Sequence, residues 1–235
     1  MVEKGLFTNY SPNEIGVHDI VHIGNVSFNM DTIVTTWFGM VLVIIFAIMA
    51  TRKLQLKPRG AQNFFESFLE FVAGLVDGSL GIKGRVVLPY VATLFLFIFS
   101  CNLMSAIPML EAPTSDINTT AGLALFVFIF VNGMMIFKHG LGNYFKHYFK
   151  PFVFFFPINI IETMAKPMTL ALRLFGNILA GDVLLIVLNL ILPAWFPVPT
   201  IVWMMFSLFV AGVQAFVFTL LTISYLSESF AEEAH

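Results

Sequence analysis

The chain is short of charge. Only 11% of its 235 residues are Asp, Glu, Lys or Arg, while 58% are hydrophobic. Soluble domains average about 25% charged residues. A soluble body this poor in charge would have too little polar surface to face water, so lipid is the expected solvent. Cysteine is scarcer still. Cys101 stands alone, which excludes an intrachain disulfide and any metal site built from thiolates. The N-terminal stretch lacks a basic start followed by a short apolar run, so no cleavable signal peptide is read there. Internal repeats, low-complexity tracts and a soluble domain are also missing. One all-α membrane domain is expected over residues 1–235, with no hinge.

What the chain does have is long apolar runs. Crossing a bilayer takes about 20 residues. Thr32 to Thr51, Val86 to Ile107, a shorter run from Ala121 to Phe137, and Ile201 to Leu226 each qualify as a span. Between them, Phe152 to Leu192 is apolar apart from isolated polar side chains. As one helix it would measure roughly 60 Å, about twice the hydrocarbon thickness. It is either two crossings or one tilted helix, and Pro157 and Pro167 are each compatible with a kink that does not end it.

Lysine and arginine set the orientation. The segment before the first span holds only Lys4. The next connection holds Arg52, Lys53, Lys57, Arg59, Lys83 and Arg85. Glu111 to Thr120 has no base and carries Glu111 and Asp116. The loop after the third span has Lys138, Lys146 and Lys150. The alternation predicts residues 1–31 outside and both basic connections in the cytoplasm. If the fourth run crosses once, there are five crossings, and the terminal SESFAEEAH is cytoplasmic. Trp37, Trp195 and Trp203 then share the outer interface as an aromatic belt. Within 61–82, Phe64, Phe65, Phe68, Leu69, Val72, Leu75 and Val76 keep a helical period broken by Glu66, Glu70 and Asp77. This reads as an amphipathic helix, either on the cytoplasmic interface or covering other loops.

Ionisable groups inside a span are costly, by about 2.5–3.5 kcal/mol each on insertion scales. The fourth run nevertheless contains a polar stripe. At 100° per residue, Asn159, Glu162, Lys166, Thr169, Arg173, Asn177 and Ala180 fall within about 80° of one another. Asp182 projects from the side opposite Arg173. In the last span, Ser207, Ala211, Gln214 and Tyr225 share one face. Two polar seams on consecutive long helices suggest a hydrated path. Plainer readings stand beside this one. Glu162 and Lys166, four apart, fit an intrahelical ion pair. Gln214, Ser207 and Asn177 fit bonds to neighbouring helices, and Asp182 fits a carboxylate at the membrane edge. Arg173 resists a plain reading, because it sits mid-run without a carboxylate at a neighbouring helical position. With Gly176, Ala180 and Gly181 close by, it suits a surface that receives a partner helix bringing its own acid.

These residues resemble a known family. LRLFGNILAGD, QAFVFTLLTISYLSE in the last span and NLMSAIP in the second are similar to the a subunits of bacterial F-type ATP synthases, over nearly the whole chain. LRLFGN is the specific signal. The resemblance implies a membrane stator with no catalytic site, cofactor or metal of its own. Its long helix pair, here 152–226, faces a rotating ring of c subunits and supplies two offset half-channels. The implied partners are the c-ring, the b-subunit peripheral stalk, the remaining synthase subunits and the lipid of the bacterial cell membrane, with no nucleic acid. Arg173 matches the family's essential arginine. Asn177, Asp182 and Gln214 match polar positions of the outer channel and ring interface, with Ser207 beside them where some relatives have histidine. The outer acid is more often glutamate, one methylene longer than Asp182. The inner acid of some relatives lies where this chain has Asn159. Glu162 is its substitute here, with Lys166 next to it. One tilted crossing for the fourth run is also implied.

The chemistry suits an arginine. A ring carboxylate must be neutral in lipid and ionised between the channels, and a fixed cation nearby favours proton loss. Guanidinium does not itself release a proton, so it seals the direct path between half-channels. Other classes fare worse. An intramembrane protease or acyltransferase needs a nucleophile with a base, or paired metal ligands. His18, His22, His139, His147 and His235 all lie outside the spans, and Cys101 has no His or Asp at helical spacing. A non-transporting scaffold predicts proton flux without Arg173. A stator of another motor, driven by Na⁺ instead of H⁺, predicts a different ring partner.

Overall fold

The computed structural model describes residues 20–23, 26–52, 60–105, 112–148, 153–191 and 198–231. Lys4, Lys53, Lys57, Arg59, Glu111, Lys150, Trp195, His18, His235 and the last residues of SESFAEEAH lie outside the described residues. The described chain starts with a short hairpin that the apolar pattern did not predict. β1 (Ile20–Ile23) and β2 (Val26–Asn29) pair antiparallel, with Ile20 opposite Asn29 and Ile23 opposite Val26.

Six helices follow: α1 (Met30–Thr51), α2 (Ala61–Leu80), α3 (Leu88–Met104), α4 (Ile117–Tyr148), α5 (Phe156–Ile191) and α6 (Val198–Ala231). Among the described residues, five helical stretches are long and apolar enough to cross a membrane: Met30–Met49, Ile82–Met104, Ile117–Gly142, Phe156–Leu188 and Val198–Phe230. The fold is that of an all-α multi-pass membrane protein, with the hairpin as a minor addition. The fourth apolar run resolves as one helix. α5 passes through Pro167 without ending. Proline removes one backbone donor there, yet the turns on either side keep the helix continuous. Its 36 residues correspond to roughly 54 Å at 1.5 Å per residue, so α5 either tilts or extends beyond a hydrocarbon layer of about 30 Å.

The third span is longer than its apolar core implied. α4 continues to Tyr148 through Gly140, whose φ of 76° and ψ of 159° break the helical path. Glycine adopts that conformation without a Cβ penalty. Beyond it the chain turns back, and the Tyr144 hydroxyl donates to Asn132 Oδ1 at 2.9 Å.

Two clusters hold the helices together. Leu94, Ile98, Ala124, Val127, Leu170, Leu174, Ala215 and Phe218 join α3, α4, α5 and α6. Val72, Val76, Leu80, Val91, Ile223 and Leu226 fasten α2 against α3 and the C-terminal half of α6. The helical period read in 61–82 is therefore real, and its apolar side covers transmembrane helices. Arg85, in the 3₁₀ turn before α3, grips Asp77 of α2 through Nη2–Oδ2 at 2.7 Å and Nε–Oδ1 at 3.0 Å.

At the opposite end from α2, Asp116 organises the chain. It is buried, and it accepts from Asn29 Nδ2 at 2.7 Å, Thr32 Oγ1 at 3.4 Å and the Asn118 backbone N–H at 2.8 Å. The last of these caps the start of α4. Beside it, Thr114 donates to Asn102 Oδ1 at 2.9 Å, which gives the asparagine of NLMSAIP a structural partner.

Candidate ring-facing site

α5 and α6 run antiparallel. Lys166 of α5 meets Glu228 near the end of α6, whereas Gly181, later in α5, accepts from Trp203 Nε1 at 3.3 Å near the start of α6. Leu170, Ala171, Leu174 and Ile178 are buried and form the packed face of α5. These positions recur every three or four residues, as one face of a helix must. The polar stripe lies along the edge of that face. Asn159, Lys166 and Asn177 are half-buried on its border, and Glu162, Thr169, Arg173 and Ala180 are exposed.

Arg173 therefore points away from this chain's own core. Among the described residues it forms no hydrogen bond or ion pair. The surface next to it is open: a Cβ added at Gly176 or Gly181 would meet nothing within 4 Å. Large apolar side chains flank the stripe, with Ile161, Met164, Met168 and Leu172 all more than half exposed. Asp182 is half-buried. It sits nine positions beyond Arg173, roughly 14 Å along the axis and on the other side of the helix, so the two are not brought together.

On α6, Ala211 and Gln214 are buried, and Ser207 and Tyr225 are half-buried. The Gln214 Nε2 is enclosed without a hydrogen-bond partner among the described residues. A buried amide donor costs about 1–3 kcal/mol when unpaired, so this one is poised for water or an incoming acceptor. The α6 seam thus turns inward while the α5 stripe remains open beside it.

The intrahelical pairing of Glu162 with Lys166 is only a loose contact, at 3.9 Å. The Lys166 ammonium makes its short bonds to the two Glu228 oxygens, at 2.6 and 2.7 Å, and lies 5.5 Å from the Tyr225 ring centroid. Glu228 was missed in the sequence because it falls just past the apolar run. Its signal was its place three residues after Tyr225, on nearly the same side of α6.

Among the described residues no group of three or more His, Cys, Asp or Glu is placed to hold a metal ion. Cys101 is buried where α3 meets α1. His139, expected outside the spans, falls within the apolar stretch Ile117–Gly142, because α4 runs past the short apolar core read from the sequence, and it engages the Ser229 carbonyl at 2.8 Å.

Comparison with known proteins agrees with the geometry. The ATP synthase A chain family model matches residues 33–227. The ATP synthase subunit a of Moorella thermoacetica is 44% identical over 209 residues, covering 89% of this chain and 94% of that protein. The ATP synthase subunit a of Desulforamulus reducens is 42% identical over 221 residues, covering 91% and 84%.

Proposed function

The chain belongs to the ATP synthase A chain family, and we propose that, as a subunit of that complex, it is the proton-translocating stator. In this reading α5 and α6 face a c-subunit ring, offer it two offset half-channels, and couple proton flow to ATP synthesis. The b-subunit stalk holds the stator still. The N-terminus is outside the bacterial cell membrane and the C-terminus is cytoplasmic.

One observation carries the reading. Arg173 is a charged side chain in a membrane-crossing helix, exposed and without an ion pair among the described residues. An intramembrane charge of this kind calls for a partner. The open surface at Gly176 admits a neighbouring helix, and a carboxylate on that helix is the matching partner. The guanidinium favours ionisation of each acid that passes and does not relay the proton itself. Gln214, Asn177, Ser207 and Asp182 serve the outer path. Glu162, Lys166 and Asn159 serve the inner one. The attachment must stay loose, because a dry permanent ion pair would stop the ring.

The test is ATP-driven proton pumping by the assembled complex in inverted vesicles. Arg173→Ala should abolish pumping while assembly and ATP hydrolysis by the soluble portion persist. Arg173→Lys should not restore it, since a buried ammonium releases its proton more readily than guanidinium. Pumping near the natural level in Arg173→Ala would leave Arg173 a mere anchor and end this assignment.

A further inference from the structure

The structure assigns Glu228 a role in the transport path: it balances the charge of Lys166, so that the inner end of the α5 stripe stays net negative. This inference rests on the stator reading above.

The argument starts from an electrostatic difficulty. A proton travelling from the Arg173 level along the stripe toward the start of α5 must pass Lys166. Seven residues separate the two cations, roughly 10 Å along the axis. A second unbalanced positive charge on that path would repel protons moving either way. The geometry removes it. Lys166 donates to both Glu228 oxygens at 2.7 and 2.6 Å, and Glu162 Oε1 stands 3.9 Å away. Two carboxylates surround one ammonium, leaving one net negative charge. Lys166 is the most enclosed of the three, with 21% side-chain exposure against 49% for Glu228 and 66% for Glu162. The cation is thus tucked between α5 and α6, and the acids are the more exposed partners.

Further groups stand around the triad, Lys138 among them as a second cation near the end of α6. Tyr225 lies under the Lys166 ammonium, and Arg173 and Glu228 also act on its phenol. From α4, His139 engages the Ser229 carbonyl and Lys138 covers the Phe230 ring at 3.1 Å. From α2, apolar Val72, Val76 and Leu80 meet α6. Asp77 is held by Arg85, Glu66 accepts from Gln62, and Glu70 is exposed. Lys83 is exposed in the turn before α3.

A net negative mouth raises the local proton concentration, and its effect is largest where protons are scarce. In inverted vesicles the inner mouth faces the medium, so ATP-driven pumping against pH reads it directly. Glu228→Gln should lower proton uptake about three- to tenfold on the alkaline limb. That moves the limb to lower pH by roughly half to one unit and leaves the rate at acidic pH near natural. The double variant Lys166→Gln/Glu228→Gln should move it back, because Glu162 then supplies the same net charge with no ammonium to offset. Glu228→Asp should stay close to natural. Raising ionic strength should shift the natural protein in the direction of Glu228→Gln, a check that needs no variant. A natural profile for Glu228→Gln overturns the inference. So does a double variant no better than the single one, which would make the ion pair a mechanical tie. Arg173→Ala in the same assay separates the levels: loss there with a natural Glu228→Gln profile sinks the charge balance and spares the stator.

Discussion

Asn29 and Asp116 are joined by a 2.7 Å hydrogen bond across 87 positions of sequence. The bond ties the end of the hairpin to the start of α4. Asp116 also caps α4 through Asn118 and accepts from Thr32. Three polar partners surround a buried carboxylate, so its removal orphans donors on three elements at once. Asp116→Ala should destabilise the detergent-solubilised chain by about 2–4 kcal/mol, combining a lost cap with unpaired buried donors. Asn29→Ala should cost less, about 1 kcal/mol. Thermal unfolding followed by circular dichroism would rank the two, and equal melting temperatures would contradict the hub role of Asp116.

Gly39 sits where α1 packs tightly on α3. A Cβ there would lie 3.1 Å from Cys101 Sγ and 3.5 Å from Met104 Cε. The Met104 terminus is able to yield, whereas the short Cys101 side chain has less freedom. Gly39→Val should therefore overpack the contact and cost about 1–3 kcal/mol. Cys101→Ala in the same chain should recover part of that loss, giving a coupling energy in a double-mutant cycle. Strict additivity would place the clash elsewhere.

Composition and apolar run length were enough to read five spans and an all-α fold. Both reflect the same constraint: in lipid the backbone satisfies itself within helices. Periodicity also exposed the α5 stripe and the apolar side of α2. Other features depend on contacts distant in sequence. The choice between one crossing and two for the fourth run turned on Pro167, which a helix tolerates or not according to its neighbours. Glu228 was hidden because no local rule links it to a lysine 62 positions earlier. Asp116 looked like an ordinary loop acid until Asn29 and Thr32 converged on it. The hairpin at Ile20–Asn29 is too short and too early for the apolar pattern to register.

Asp77, which lies outside the spans, gives a pH-dependent signature through its bond to Arg85. The hydrogen bond from Arg85 holds the Asp77 carboxyl below its usual value of 3.8, against the opposing effect of burial and with help from the Arg85 charge. A depressed carboxyl contributes fully above its unfolded value and loses that contribution as pH falls through the folded one. The link from α2 to the turn before α3 should therefore persist at neutral pH and weaken below about pH 4. Amide exchange near the end of α2, corrected for intrinsic rates, should rise over that acid range. In Asp77→Asn the rise should be absent, because the pair is already broken at neutral pH. Identical acid profiles in the two proteins would show that the pair does not hold the turn.

Gly176 separates a folding role from a docking role. A Cβ at this position meets nothing within 4 Å, and Gly176 lies three residues after Arg173 on the exposed side of α5. Replacing glycine inside a helix usually favours the helix, by up to about 1 kcal/mol. Gly176→Leu should thus leave the melting temperature of the solubilised chain unchanged or slightly higher. In the assembled complex the same side chain would stand between α5 and any helix drawn to Arg173, since small residues are what permit such close approach. Pumping should fall at least tenfold, while Gly176→Ala should show a milder loss. The pairing of intact folding with impaired coupling is the decisive result. Full pumping in Gly176→Leu would mean that no helix comes close to this face of α5, and the partner of Arg173 would then have to be sought elsewhere.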